Sequence, residues 1–98
     1  MTIIKTQNDT ALTLKIEGRL DTVSSPQLEQ ELQDSLPGIT DLILDFENVE
    51  YISSAGLRIL LMAQKVMNRQ GQMTVTNVRA EVKEIFDITN FSDFLTIQ

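Results

Sequence analysis

The 98-residue sequence contains no cysteine and no histidine. Without cysteine the chain has no disulfide and no thiolate nucleophile, and without either residue the usual ligands of a zinc site are missing. The absence of histidine also removes the imidazole that most often acts as a general base. Together these absences exclude many classes of enzyme.

Long apolar runs and basic clusters are missing as well. No apolar run approaches the roughly 20 residues of a membrane span, and no signal-peptide pattern follows Met1. We therefore expect a cytoplasmic location without direct membrane insertion. Lys65 and Arg69 are the nearest approach to a basic patch, so nucleic-acid binding is not expected. The net charge of −6 favours either simple solubility or attraction of a basic partner surface.

Motifs for catalysis are not found either. The sequence has no Gly-rich Lys-Ser/Thr loop and no Gly-x-Gly-x-x-Gly, so no nucleotide site is predicted. Asp45 is expected within a strand, Glu47 and Glu50 in a loop, and Asp21 just after a strand. Such spacing identifies no acid pair for general acid and base catalysis. We expect no enzyme activity and no cofactor.

Composition and periodicity predict one α/β domain over residues 1–98, with 42% hydrophobic residues. Leu12, Leu14 and Ile16 alternate with polar residues, which indicates a strand with one buried face. The preceding segment, 2–7, contains two isoleucines and is followed by turn residues at 8–10. The two segments are predicted to form an N-terminal hairpin.

A first helix is predicted after Ser25-Pro26, because proline suits the first helical position and biases Ser25 toward an extended N-cap. Leu28, Leu32 and Leu36 recur every four residues and indicate a buried stripe. Pro37-Gly38 is expected to end this helix.

The apolar segment Asp41 to Phe46 predicts a central strand that is covered on both sides. A long helix is predicted over Leu57 to Arg69, with Gly71 as its left-handed terminator. This helix has more apolar residues than one narrow stripe requires. Either it is deeply buried on the sheet, or part of it stays exposed to meet a partner.

The C-terminal region predicts a short strand at Met73 to Val78, a helix over Glu81 to Ile88, and a segment Phe94 to Ile97 that adds a last strand or pins the terminus. The order of elements therefore predicts a mixed sheet of four to five strands, about three packed helices, and two right-handed crossovers.

Two loops are expected at the same edge of this sheet, because each follows a parallel strand. The first, Gly18 to Ser25, contains Asp21 and Thr22, and the second, Glu47 to Ser54, contains Ser53 and Ser54. The four side chains are therefore predicted to lie near one another.

Ser53 and Ser54 fall where a strand leads into a helix, and we expect them to differ in role. If Ser53 is the N-cap, its oxygen accepts from a backbone N–H, and Ser54 presents a free hydroxyl at the positive helix end. Gly56 adds a position where another backbone or a partner can approach closely. From local chemistry alone, a structural cap and a regulatory phosphoserine remain alternatives.

Three segments together resemble the STAS domains of bacterial anti-sigma-factor antagonists. They are Gly-Arg-Leu-Asp at 18–21, Leu-Ile-Leu-Asp-Phe at 42–46, and Val-Glu-Tyr-Ile-Ser-Ser-Ala-Gly-Leu at 49–57. The similarity covers essentially the whole chain. It implies a single STAS-like domain that acts as a partner switch and has no catalysis of its own.

The resemblance also implies roles for individual residues. Ser54 matches the phosphoacceptor, Asp21 the acid of the neighbouring loop, and Gly56-Leu57 the start of the recognition helix; Thr22, Ser53 and Ala55 complete the expected partner surface. These antagonists often have Asp before the phosphoacceptor. Here Ser53 occupies that position, can cap the helix without supplying negative charge, and is a rival acceptor.

By the same similarity, the unphosphorylated form binds an anti-sigma factor that is also a serine kinase, and thereby frees a sigma factor. Phosphorylation of Ser54 weakens this complex, and a metal-dependent serine phosphatase restores it. The alternative from another class of function is a STAS subunit that is never phosphorylated and docks constitutively on a transporter or other membrane-associated assembly. The same fold and the apolar helix motivate this alternative.

Overall fold

The computed structural model describes all 98 residues, Met1–Gln98. It contains four strands, three α-helices and one turn of 3₁₀ helix. In chain order these are β1 (Thr2–Asn8), β2 (Ala11–Leu20), α1 (Ser25–Ser35), β3 (Asp41–Ile52), α2 (Ser54–Gln70), β4 (Gln72–Thr76), α3 (Ala80–Ile88) and the 3₁₀ turn Phe91–Asp93.

The strands form one mixed sheet in the order β1-β2-β3-β4. β1 and β2 are an antiparallel hairpin, whereas β2–β3 and β3–β4 are parallel pairs connected through α1 and α2. The predicted α/β fold, hairpin and three helices are confirmed. No fifth strand forms, but Ile97 makes an isolated parallel bridge to Val75, so the C-terminal segment pins the terminus against β4.

The core lies on one face of the sheet. Leu42, Leu44 and Phe46 of β3 are fully buried, whereas Ile43 and Asp45 between them remain partly exposed. The same alternation occurs in β2 and β4. The prediction that this strand is covered on both sides is therefore wrong. The hydrophobic run looked continuous because one residue of the more open face, Ile43, is also apolar.

β3 is longer than predicted and continues to Ile52. Glu47 and Glu50 consequently lie in a strand and not in a loop, as the sequence had suggested. The pairing of β2 with β3 continues past two irregularities, between Lys15 and Glu17 and between Gly18 and Arg19. A bulge accommodates extra residues in one strand without ending the ladder, and here it extends the sheet up to the Ser53-Ser54 junction.

The start of α1 differs from the prediction, because Ser25 is the first helical residue and not an extended N-cap. Ser24 before it already has helical backbone angles, φ −90° and ψ −22°. The backbone N–H of Ser24 donates to the Asp21 carboxylate at 3.0 Å, and the Ser25 hydroxyl donates to the Asp21 carbonyl at 2.5 Å. These contacts with Asp21 outweigh the extended bias of a residue that precedes proline.

Helix α2 ends at Gly71 as predicted, but for a different reason. Gly71 has φ 173°, which is extended backbone, so it is not the predicted left-handed terminator. Glycine is required there for another reason: an added Cβ would lie 1.9 Å from the carbonyl oxygen of Thr40. Gln72 N–H donates to that same oxygen at 3.0 Å. The close approach connects the α2–β4 junction to the start of β3.

We expect Gly71→Ala to destabilise the protein by about 3 kcal/mol, because the methyl group overlaps backbone atoms that cannot rotate away. Gly38→Ala is the matched control, since Gly38 has φ +85° but nothing within 4 Å of an added Cβ; its cost should be only the left-handed penalty of about 1 kcal/mol. Urea unfolding measures both changes. Equal effects of the two substitutions would contradict the steric explanation.

Candidate functional site

The candidate site is the sheet edge where β2 and β3 end side by side. The register pairs Leu20 with Ile52, so the turn that follows β2 lies next to the first turn of α2. The expectation that the two loops share one edge, which rested on the predicted parallel neighbours, is confirmed. Their contact is direct, because Ser53 N–H donates to the Leu20 carbonyl at 2.9 Å.

Ser53 is the N-cap of α2. Its backbone is extended, with φ −97° and ψ 176°, and its side-chain oxygen accepts a long hydrogen bond of 3.4 Å from Gly56 N–H. Its carbonyl accepts from Leu57 N–H at 2.9 Å. Ser53 therefore supplies the structural cap that the sequence allowed for.

Ser54 is the first residue of α2 and is exposed, and its hydroxyl makes no hydrogen bond. Unpaired N–H groups of the first helical turn give this end a partial positive charge. Ser54 thus combines an accessible hydroxyl with an electrostatic environment that tolerates an anion.

The residues after Ser54 point in different directions. Ala55 is partly exposed, whereas Gly56 and Leu57 are buried. A Cβ on Gly56 would lie 2.8 Å from the Ile52 side chain and 2.9 Å from the Leu20 carbonyl oxygen. Gly56 therefore permits the close approach of another backbone, as expected, but that backbone is β2 of the same chain. Gly56 and Leu57 shape the start of the helix from the inside.

Asp21 organises the neighbouring turn. Its carboxylate accepts from the N–H groups of Val23 at 3.1 Å and Ser24 at 3.0 Å and from the Ser24 hydroxyl at 3.1 Å. Hydrogen bonding by the Ser24 N–H, then by the Ser24 hydroxyl and Val23 N–H, with Arg19 nearby, lowers the pKa of Asp21 below its usual value. The edge beside Ser54 therefore carries a fixed negative charge at neutral pH.

Thr22 and Val23 project from this turn, and Val23 is 90% exposed. An aliphatic side chain exposed to this degree next to Asp21 is available for contact with another protein. Sequence reasoning named Thr22 and overlooked Val23, although an apolar residue in an otherwise polar loop was the available signal.

Arg19 and Tyr51 were also overlooked. The guanidinium carbon of Arg19 lies 4.5 Å from the centre of the Tyr51 ring, a distance typical of cation–π contact. Arg19 Nε is also 3.8 Å from the Asp21 carboxylate. Arg19 and Tyr51 are partners in the β2–β3 register, which only the folded structure reveals. Arg19 thus connects the Asp21 turn to the end of β3.

No group of three or more potential ligand residues is placed to bind a metal ion. Among the helices, none combines the length and the hydropathy needed to cross a bilayer. What the edge offers is an exposed hydroxyl, an ionised carboxylate and exposed apolar groups, an arrangement suited to recognition by another protein.

We expect an NMR titration of the side-chain carboxyl carbon of Asp21 to give a pKa below 3.8, the ordinary value for an aspartate side chain. Since the folded-state pKa is lowered, ionised Asp21 stabilises the fold above the ordinary pKa, and this contribution is lost as the pH falls through the lowered value. Asp21→Asn keeps an oxygen acceptor but removes the charge, so its stability should vary less with pH in this acidic range. A measured pKa at or above 3.8 would contradict the hydrogen-bonded turn.

Comparison with known proteins identifies the family. The sequence matches the STAS domain family over residues 2–98. One relative is BtrV of Bordetella bronchiseptica, which is provisionally classed as an anti-sigma factor antagonist. The two sequences are 33% identical over 78 residues, which cover 78% of this chain and 67% of BtrV. A second relative is the anti-sigma-B factor antagonist of Bacillus subtilis, which is 28% identical over 92 residues; these cover 93% of this chain and 84% of that protein.

A solved structure has the same fold. The Bacillus cell fate determinant SpoIIAA in its phosphorylated form superimposes with a TM-score of 0.76 at 14% identity, covering 99% of this chain and 91% of SpoIIAA. The sheet order and the helix positions described above are therefore those of a known domain type. On its sequence match and its fold, this chain belongs to the STAS domain family.

Proposed function

We propose that this STAS domain is an anti-sigma-factor antagonist whose partner binding is switched off by phosphorylation of Ser54. In its unphosphorylated form it binds an anti-sigma factor that is also a serine kinase, and a sigma factor is released. A serine phosphatase returns the domain to its binding form. The names of the relatives support the class of partner.

The observation that carries the proposal is the difference between the two serines. The Ser53 oxygen faces the backbone of its own helix, whereas the Ser54 hydroxyl is exposed and unbonded. A kinase must bring the acceptor oxygen in line with the γ-phosphate of ATP, which requires access from solvent. Ser54 meets this requirement without any change in the fold.

The electrostatics of the edge explain how a phosphate would act as a switch. It adds roughly −1.5 to −2 charges at pH 7 and is tolerated locally by the N-terminal end of a helix. In a closely packed interface, the phosphate on Ser54 and the ionised carboxylate of Asp21 would both lose their water, and this loss of hydration weakens binding. A loss of only about 3 kcal/mol lowers affinity more than a hundredfold.

The partner surface proposed for the unphosphorylated form combines Asp21, Thr22 and Ser53 to Ala55 on the outside, with Gly56 and Leu57 supporting them from the core. Val23 and Tyr51 add exposed apolar area. Aromatic and aliphatic groups at the centre of an interface contribute most to affinity when they are fully desolvated.

We expect Ser54→Ala to abolish phosphate incorporation when the purified protein is incubated with ATP and the candidate anti-sigma kinases of its own cell. Ser53→Ala is the matched control, because it removes a hydroxyl one residue away. It should cost about 1 kcal/mol of stability through loss of the cap and still accept phosphate. Intact mass and peptide mapping measure both. Incorporation lost in Ser53→Ala and retained in Ser54→Ala would assign the acceptor to Ser53.

A second experiment tests the switch itself. Ser54→Glu, which places a negative charge at the exposed position, should weaken binding of the anti-sigma partner at least tenfold, whereas Ser54→Ala should bind as the unmodified protein does. Calorimetry measures both affinities. Equal affinity of the two variants, together with stable association with integral membrane proteins and no phosphate from any kinase, would instead support the constitutive docking subunit.

A further inference from the structure

Helix α2 has a charge opposite to that of the rest of the chain. It contains Arg58, Lys65 and Arg69 and no acidic residue, within a protein of net charge −6. Lys65 and Arg69 follow Arg58 by seven and eleven residues, close to two and three full turns at 3.6 residues per turn. The three cations, all exposed, therefore form one basic stripe along α2.

The basic stripe forms no ion pair within the protein, although Arg69, in the last turn of α2, offsets the partial negative charge of the helix end. The ion pairs of the protein are Lys15–Glu47, Arg19–Asp21 and Lys83–Asp87, and none of them involves α2. Lys65 and Arg69 are also four residues apart on a helix, a spacing at which like charges destabilise it. A stripe that is locally unfavourable and unpaired suggests that its counter-charge comes from another molecule.

An apolar groove lies beside the basic stripe, between α1 and α2. It has a volume of about 380 Å³ and is lined by Leu32, Leu36, Pro37, Met62 and Val66, together with Gln33 and Gln70. A second depression of about 310 Å³ shares Met62 and Val66 with it and contains all three cations of the stripe together with Leu61. The two depressions form one surface, here called the α1–α2 groove, with an apolar floor and a basic margin.

We propose that the α1–α2 groove binds an amphipathic helix of a partner protein, one whose apolar face enters the groove and whose flank toward α2 carries Asp or Glu. Amphipathic helices commonly bind by laying their apolar face into a hydrophobic groove. The basic stripe extends about 16 Å along α2, which matches three turns of a docked helix. The proposal goes beyond the phosphorylation switch and does not depend on it.

The two sides of the groove differ in charge, and this difference favours a protein helix over a nucleic acid or an anionic membrane. α1 carries Glu29, Glu31 and Asp34 and no basic residue, so a uniformly anionic surface would be repelled by α1 as it approached α2. A helix with acidic residues on one flank only can meet the basic stripe and avoid the acidic side. The charge pattern thus favours a protein helix as the partner, and it also determines which flank of that helix faces α2.

The test is a titration of the full ¹⁵N-labelled, unphosphorylated protein with a designed helical peptide that has leucines on one face and glutamates on one flank. The control peptide has lysine in place of each glutamate. We expect the acidic peptide to shift the amide signals of Leu36, Met62 and Val66, to bind at least tenfold more tightly than the control, and to lose affinity as salt is added.

Charge reversal on the protein makes the test specific. Lys65→Glu combined with Arg69→Glu should weaken binding of the acidic peptide at least tenfold and improve binding of the lysine peptide. Both residues are exposed, but Arg69 lies in the last turn of α2, where a negative charge is unfavourable. We therefore expect a modest decrease in melting temperature, and the affinities are compared at a temperature where both proteins are folded. Lys5→Glu is the matched control, because Lys5 is an exposed cation on β1, away from the groove, and should leave both affinities unchanged.

Three results would overturn the proposal. The first is no signal shift with the acidic peptide at millimolar concentration, and the second is equal affinity for the two peptides. The third is binding of a DNA oligonucleotide or of phosphatidylglycerol vesicles through Lys65 and Arg69 where the acidic peptide fails. No kinase or ATP is present, so failure here is distinguishable from failure of the switch at Ser54.

Discussion

The contact between the end of β2 and the first turn of α2 determines the geometry of the whole candidate site. The Leu20 carbonyl oxygen accepts the Ser53 N–H at 2.9 Å and lies only 2.9 Å from where a Cβ on Gly56 would be. The helix can begin this close to the strand only because residue 56 has no side chain. The same contact positions Ser53 to cap the helix and leaves Ser54 exposed to solvent. It also brings the turn that contains Asp21 next to the first turn of α2.

Many of the helices and strands could be predicted from local sequence, because the spacing of apolar residues that indicates each element is visible within a short segment. Alternation at Leu12, Leu14 and Ile16 identified β2, and the four-residue repeat from Leu28 identified α1. The cap at Ser53 could be predicted for the same reason, since an N-cap interacts with N–H groups two or three residues later. The shared edge of the two loops followed from the order of strands and helices.

The features that could not be predicted depend on residues distant in sequence or on competing local bonds. Gly71 was expected at a left-handed position, but its requirement comes from Thr40, thirty-one residues earlier in the chain. Ser25 was expected to be extended, but hydrogen bonds to Asp21 decide its conformation. Gly56 and Leu57 were assigned to a partner surface because sequence does not reveal which side of α2 faces the core. The α1–α2 groove depends on how two helices pack and has no local signature.

The stacking of Arg19 on Tyr51 has a practical consequence for optical work on this protein. The chain has no tryptophan and a single tyrosine, so its near-ultraviolet emission comes almost entirely from Tyr51. That ring lies two residues before Ser53 and 4.5 Å from the guanidinium carbon of Arg19. The molecule therefore carries a native fluorophore at the same edge of the sheet as Ser54 and Asp21, and binding there can be followed without attaching a dye.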